Sequence, residues 1–533
     1  MGPGSVVLYD TTLRDGTQRE GLSLSVEDKL RIVAKLDELG IDYVEGGFAG
    51  ANPKDDEFFK RASGLALRHA VITAFGSTCR KETPAADDPG IRALVEAGCG
   101  TVCIFGKAWD AHVTHTLRTT LAENLRMVSD SVATLKSAGL TVFFDAEHFF
   151  DGYARNPDYA LSVCRAAARA GADAVVPCDT NGGTLPSDIA SAIRSLTGEL
   201  GTIPVGIHAH DDAGCGVANS LVAVDAGATH VQGTMNGYGE RTGNADLVSI
   251  IPALKLKMGR DVVTDEQLRL LTEASHFVAE IANLAPDPHH PYVGVSAFAH
   301  KGGVHASAAD RFAAAYEHVD PAVVGNLARV VVSELAGSAS LRMKAEELGI
   351  DLTGDPTAAR KVLDRVKRLE HRGYSFEAAD GTLEVLLRKE IGTWEPYFVL
   401  EAFRCIMEKR EDGRVMTEAT VKIHVRGQRL IATAEGNGPV NALDSALRLA
   451  LNELYPDLAA IELTDYKVRV LDEKKGTGAV TRVLIESADG TKAWGTVGVS
   501  ENIIEASWEA LVDSIGYGLL HPVRGDRPLR PTS

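Results

Sequence analysis

Pro204-Val-Gly-Ile-His-Ala-His210 decides the reading of this chain. The run has the pattern of a buried strand that ends in two histidines one residue apart, His208 and His210, followed by Asp211 and Asp212. Side chains two apart on a strand face the same way, so the pair can grip one metal ion. Two ordinary polar side chains at a strand end give the same pattern, and the neighbouring motifs weigh between the readings. After an earlier apolar strand, Tyr9-Asp10-Thr11-Thr12-Leu13-Arg14-Asp15-Gly16 supplies a carboxylate, an arginine and a glycine turn.

Outward from there, short β-branched runs alternate with longer amphipathic stretches. Strands are predicted over 6–9, 43–48, 70–75, 101–105, 141–145, 174–177, 205–210 and 230–235. Helices are predicted over 26–39, 117–138, 159–170, 185–200 and 216–226, several closed by glycine before the next strand. Eight strand–helix units in about 255 residues fit a closed (β/α)8 TIM barrel, an α/β fold. An open doubly wound sheet would need a glycine-rich phosphate turn after the first strand, where this chain carries Arg14-Asp15-Gly16.

Such barrels build their active sites on the loops after the C-terminal ends of the strands. The polar residues fall there: Arg14, Asp15 and Gln18 after the first strand, Glu45 in the second, Lys107 and His112 after the fourth. Glu147 and His148 follow the fifth, Asp179 and Thr180 the sixth, and Asn236, Glu240, Arg241 and Asn244 the eighth. Strands one and seven flank the eighth around a closed barrel, so Asp15 can approach His208 and His210. Two neutral imidazoles and one carboxylate leave a divalent cation with net positive charge and open positions. Non-haem iron oxygenases use the same ligand set. Arg14 either puts a fixed cation beside a polarised oxygen or forms a structural ion pair with Glu45 or Asp15.

Composition narrows the function classes. A chain of 533 residues, 45% hydrophobic, exceeds one ordinary domain and has material for large cores. A net charge of −18 argues against nucleic acid or an anionic membrane as partner. No apolar run approaches the roughly 20 residues of a membrane span, and no signal-like segment opens the chain, so a cytoplasmic protein is expected. The opening Met1-Gly-Pro-Gly-Ser5 reads as an expression remnant. The 7 cysteines are scattered among Ala, Val and Gly and read as reduced core thiols; Cys99 and Cys103 lack a second pair to complete a metal site.

The barrel is expected to occupy 5–284. Pro286-Asp-Pro-His-His-Pro291 then marks a stiff connection into a mostly helical region, 285–391. Residues 392–522 show an internal repeat: 421–434 with 435–442, and 483–499 with 500–504, each read strand, turn, strand, glycine loop, helix. A groove between the copies of this α+β domain could hold a small effector whose carboxylate meets the glycine loops and helix starts; dimerisation without a ligand is the competing reading. Residues 523–533 read as a tail.

Three segments carry a family resemblance: Asp10-Thr-Thr-Leu-Arg-Asp-Gly-Thr-Gln18, His208-Ala-His-Asp-Asp212 and Gln232-Gly-Thr-Met-Asn-Gly-Tyr-Gly-Glu-Arg-Thr-Gly-Asn244. They resemble the alpha-isopropylmalate synthase family over nearly the whole chain. Residues 9–24, Val176-Pro-Cys-Asp-Thr-Asn-Gly-Gly183 and Gly495-Thr-Val-Gly-Val-Ser500 look most like its citramalate synthase group. The resemblance implies an acyltransferase that joins acetyl-CoA to a 2-oxo acid and hydrolyses the thioester, with pyruvate giving (R)-citramalate for isoleucine biosynthesis. By the same resemblance Asp15, His208, His210 and Asn244 would hold a divalent metal (Mg, Mn or Zn). Arg14 would stabilise the developing alkoxide, Thr180 would meet the oxo-acid carboxylate, and Gln18 and Glu240 would meet the acyl-CoA side. Glu147 matches the family's catalytic glutamate, although His148 stands where many relatives carry another acid. Helper motifs beyond the barrel, Phe298-Ala-His-Lys-Gly-Gly-Val-His305 and Tyr316-Glu-His-Val-Asp-Pro321, would supply His305 and Tyr316 to the barrel mouth, from the same or a partner subunit. The C-terminal domain resembles the family's regulatory domain, implying a homodimer and a branched-chain amino-acid effector, isoleucine for a citramalate synthase.

The alternatives are a 2-isopropylmalate synthase acting on 2-oxoisovalerate for leucine biosynthesis, a lyase running the reverse cleavage, and a non-catalytic metabolite sensor. Lyases of this type use a cysteine in a glycine-rich loop, and Asn236-Gly-Tyr-Gly-Glu-Arg-Thr-Gly243 has none. A decayed sensor would have lost part of the set Arg14, Asp15, Glu147, His208, His210 and His305. Pyruvate and 2-oxoisovalerate differ only in bulk at one end, which a few apolar side chains can sense; Phe75, Phe105 and Phe144 are the candidates.

Overall fold

The computed structural model describes residues 4–300, 317–330, 338–352, 356–409, 411–471 and 478–522. Two compact units divide the chain, one built on residues up to Phe298 together with 319–328, the other on the remainder.

The first unit is a closed barrel of eight parallel strands paired in sequence order. They are β1 (Val7–Asp10), β2 (Tyr43–Phe48), β3 (Val71–Ser77), β4 (Thr101–Lys107), β5 (Thr141–Glu147), β6 (Ala174–Asp179), β7 (Gly206–Ala209) and β8 (His230–Gly233). Closure is made by β1 on β8, with Val7 opposite His230 and Asp10 opposite Gly233. The predicted strands all form. Their shifts fall at the ends: β4 and β5 run two residues further, to Lys107 and Glu147, because polar side chains continue the pleat into the mouth.

Local chemistry sets the helices between them. Ser25 and Asp28 form a reciprocal capping box that starts Val26–Leu39, and Gly40 ends it at φ 89°, where a side chain would be strained. Proline opens Pro53–Ala62, Pro89–Glu96, Pro157–Arg169 and Pro186–Leu200, where its missing N–H costs nothing. The expected helix 117–138 is broken. His112–Leu117 is a π-helical turn, Arg118 is left-handed at φ 54°, and Thr120 caps a fresh start at Leu121. Helices Pro53–Ala62, Pro89–Glu96 and Phe149–Arg155 are not among the predicted ones, and the last two, of 8 and 7 residues, are too short to show a clear period.

Two apolar layers result. Ile and Leu of the helices pack on the outer barrel face, while Tyr9, Phe75, Cys103, Phe143 and Ala174, with Tyr43, Phe48 and Phe105, fill the lumen. Phe75 and Phe105 therefore point inward, ring on ring at 5.5 Å, whereas Phe144 belongs to the outer layer. Among the described residues no helix is long and apolar enough to cross a membrane. All seven cysteines are free. Cys103 lies in the lumen, and Cys99 joins no candidate metal cluster among the described residues.

The second unit carries a two-stranded parallel pair, β9 (Ala299–His300) with β10 (Arg329–Val330), and helices Ser338–Glu347, Pro356–His371 and Asp380–Glu390. Then come two copies of one motif. β11 (Val399–Lys409), β12 (Val415–Val425) and β13 (Gln428–Gly436) form an antiparallel sheet followed by helix Pro439–Leu451. β14 (Glu462–Val470), β15 (Thr481–Ala488) and β16 (Ala493–Ser500) repeat it, followed by Ile503–Leu520. The expected internal repeat is present, with one more strand per copy than its pattern disclosed. Both helices pack with the sheets into one core that includes Leu443, Leu447, Trp508 and Leu511.

Candidate active site

Alternation along the barrel strands builds the site. Phe143 faces the lumen, so Asp145 and Glu147 follow it toward the mouth on the same side, as Lys107 follows Cys103 and Phe105. His208 stands on β7, and His210 just beyond it forms an isolated bridge with Asn244 of the β8 loop. Asp15 comes from the turn after β1, one strand beyond β8.

Asp15, His208 and His210 are all buried, and each offers a ligand atom within 4.8 Å of the others. Asp15 Oδ2 lies 3.4 Å from His208 Nε2 and 3.8 Å from His210 Nε2. Asp15 Oδ1 and Asn244 Oδ1 are buried without a hydrogen-bond donor among the described residues. Buried oxygens left bare in this way are costly, and a cation between them removes the cost. Burial alone would raise the Asp15 carboxyl, but Arg14 and the two histidines outweigh it and hold it well below the usual range. Burial, with His208 beside it, pushes His210 down to about 4, so its imidazole is neutral and free to coordinate. His208 Nδ1 faces Gln232 Oε1 at 2.9 Å, and Gln232 Nε2 donates to Asp145 Oδ1 at 2.9 Å. This chain leaves Nε2 of His208 turned toward Asp15.

Arg14 makes both contacts considered for it. Its Nε donates to Glu45, its Nη1 lies 3.2 Å from Asp15 Oδ2, and its guanidinium carbon sits 3.7 Å over the centre of Phe75. Glu45 in turn accepts from Tyr9 Oη at 2.6 Å. The guanidinium is thus fixed at the edge of the Asp15, His208 and His210 cluster.

Glu147 is paired with Lys107 at the mouth. Thr180 Oγ1 accepts the backbone N–H of His148 at 2.9 Å, and its carbonyl accepts from Arg241 Nη2 at 2.8 Å. Gln18 ends the short turn Gly16–Gln18 and is exposed. Glu240 is exposed beside Arg241, 3.4 Å away. Asp179, expected at the site, instead holds its own loop, accepting from Thr184 Oγ1 at 2.7 Å. Asn236 is likewise structural, exchanging hydrogen bonds with Ser275. His305 and Tyr316 lie outside the described residues. Sequence reading assigned no role to Gln232 or Asp145, although a glutamine and an aspartate inside apolar strands were a visible signal.

Known proteins extend this geometry. The HMGL-like family model matches residues 5–278, the homocitrate synthase post-HMGL domain-like model 292–374, and the LeuA allosteric (dimerisation) domain 377–519. The (R)-citramalate synthase of Streptomyces coelicolor is 54% identical over 515 residues, 96% of each chain. That of Aquifex aeolicus is 53% identical over 97% of this chain and 98% of its own. A probable 2-isopropylmalate synthase of Methanopyrus kandleri is 33% identical over 96% of this chain and 98% of its own. Its barrel, its buried carboxylate and histidine cluster and its full-length likeness to those enzymes make this chain a member of the HMGL-like family, within the (R)-citramalate synthases.

Proposed function

We propose that this protein is an acetyl-CoA-dependent citramalate synthase: acetyl-CoA, pyruvate and water give (R)-citramalate and CoA. The observation that carries the reading is the buried Asp15, His208 and His210 cluster with Arg14 against it, in a chain 54% identical to an (R)-citramalate synthase over nearly its full length.

Asp15, His208 and His210, with Asn244 Oδ1 beside them, would hold a divalent cation: Mg, Mn or Zn. A cation held there would supply Lewis acidity toward the ketone of the oxo acid. Arg14, held against Asp15, is assigned to stabilise the negative charge that grows on the ketone oxygen as carbon attacks it. The Thr180 hydroxyl is assigned to the substrate carboxylate. Glu147, paired with Lys107, is assigned to move a proton during addition or thioester hydrolysis. Gln18 and Glu240, exposed at the rim, are assigned to the acyl-CoA side. His305 and Tyr316 complete the set by resemblance, as the groups that assist proton removal from the acetyl methyl.

Pyruvate as the oxo acid follows the full-length likeness to (R)-citramalate synthases, and Phe75 and Phe105, stacked in the lumen with Arg14 over Phe75, are assigned to sensing the bulk at its methyl end. The division into a catalytic barrel (5–284), a helical region (285–391) and a regulatory domain (392–522) follows the same reading, with a homodimer formed through the last. A branched-chain amino-acid effector is assigned to the open cleft at the start of helix Pro439–Leu451, lined by Gly438, Asn441 and Tyr466. Free thiols throughout suit the cytoplasm.

CoA release from acetyl-CoA with a panel of 2-oxo acids, with and without EDTA, tests the proposal. Metal-dependent turnover preferring pyruvate supports it. Preference for 2-oxoisovalerate moves the assignment to 2-isopropylmalate synthesis, and no release with any oxo acid refutes the synthase reading.

A further inference from the structure

Between Glu147 and Thr180 the loops after β5 and β6 are tied at two points. The residue after Glu147, His148, is left-handed at φ 55° and ψ 33°, a conformation that non-glycine residues adopt at a cost. In that conformation its N–H leaves the strand and donates to Thr180 Oγ1 at 2.9 Å. Its ring turns back, with Nδ1 3.2 Å from Asp151 Oδ2. The same oxygen accepts Asn181 Nδ2 at 2.9 Å, from the residue next to Thr180. Burial would raise Asp151, but the bonds from His148 and Asn181 outweigh it and hold the carboxyl below its ordinary value, so it stays an acceptor.

The ring is walled in on its other side. His112 lies 4.1 Å from it, with Trp109 stacked behind His112 at 4.8 Å. Gly152, one turn on, is pressed against the β4 loop, where a Cβ would stand 2.5 Å from the Ala108 carbonyl. Lys107, from that β4 end, pairs with Glu147. The strained backbone is thus held from β4, from β6 and from its own helix.

We propose that His148 and Asp151 are positioning residues that set Glu147 and Thr180 at a fixed separation for the oxo acid, a role that rests on the function proposed above. The consequence for Thr180 is chemical. Its oxygen already accepts the His148 N–H, so its own proton is left to donate, and among the described residues it has no acceptor. A substrate carboxylate accepts the hydrogen bond from that hydroxyl. When Asp151 lets go, His148 relaxes toward ordinary backbone angles, its N–H swings off Thr180, and the hydroxyl is free to rotate away from the substrate.

Four variants test this: Asp151→Ala, Asp151→Asn, Thr180→Ala and the double change Asp151→Ala with Thr180→Ala. They are measured in the full-length protein for KM and kcat toward pyruvate and acetyl-CoA, and by hydrogen exchange across 147–152. Expected for Asp151→Ala is a rise of about tenfold in KM for pyruvate, KM for acetyl-CoA within about twofold, and faster exchange at 147–152. Asp151→Asn, which keeps an acceptor oxygen, recovers part of both. The double variant is no worse for pyruvate than Thr180→Ala alone, since one acts through the other. Additive losses, or an unchanged pyruvate KM in Asp151→Ala, overturn the proposal. If Asp151→Ala fails to fold, Asn181→Ala and His148→Gly replace it: the first cuts one exposed bond, and the second accepts the left-handed turn without the ring. A wild-type protein inert with every oxo acid defeats the synthase reading, and hydrogen exchange then decides the clasp alone. Protection at 147–152 that survives Asp151→Ala overturns it.

Discussion

Gln232→Leu separates the task of holding His208 from the task of filling the barrel. The glutamine is fully buried; its Oε1 meets His208 Nδ1 at 2.9 Å and its Nε2 donates to Asp145 at 2.9 Å. Leucine has nearly the same volume, so no cavity opens and the cost is polar. Loss of a partner that orients a ligating histidine lowers metal affinity about 10- to 100-fold, or about 1.4 to 2.7 kcal/mol. Independently, burial already raises the Asp145 carboxyl to about 6, and removing the amide donor leaves it short of a partner, costing about 1–3 kcal/mol of stability. Calorimetric titration of Mn²⁺ or Zn²⁺ into metal-stripped protein reads the first effect, and urea unfolding reads the second. If stability falls while metal affinity stays within about twofold of wild type, the chain from Asp145 through Gln232 does not orient His208 and the reasoning is wrong.

Other outcomes follow from the same geometry. His230 is buried in the lumen against Tyr9 and Phe143, and burial holds it down at about 3. The unfolded chain binds that proton near pH 6.5, so acid favours unfolding, and His230→Phe should lose about 2 kcal/mol less stability than wild type between pH 7.5 and 5 in urea titrations; parallel losses would contradict this. Phe105→Ala, opening the lumen, should raise kcat/KM for 2-oxobutanoate over pyruvate by about 10-fold or more, while Phe144→Ala in the outer layer should cost about 3–5 kcal/mol of stability and leave the preference unchanged. Equal effects of the two on substrate preference would overturn the assignment of faces. Glu147→Gln should lower kcat by about 10²-fold or more with pyruvate affinity retained, and a loss seen only in pyruvate binding would assign Glu147 to binding instead.

Much of the site was legible because it is carried by short-range spacing. His208 and His210, two apart on a strand, had to share a face wherever the strand went, and Arg14 with Asp15 followed a strand that closure places one strand beyond β8. The Ser25 and Asp28 cap and Gly40 end of the first helix are local chemistry of the same kind. Gln232 and Asp145 escaped because they are 87 residues apart and meet only across the closed barrel.

The sequence by itself therefore determined the eight strands and the repeat in the second unit, since each rests on periodicity within one segment, and it put His208 and His210 on one face, whereas their meeting with Asp15 also needed the closed barrel. Only the tertiary structure decided which aromatic rings line the lumen. Parallel strands are apolar on both faces, so Phe143 and Phe144 look alike until the barrel closes and one turns inward. It likewise decided that Arg14 bridges Glu45 and Asp15 and that His148 strains to reach Thr180, because those partners are 31 and 32 residues distant and no local rule brings them together.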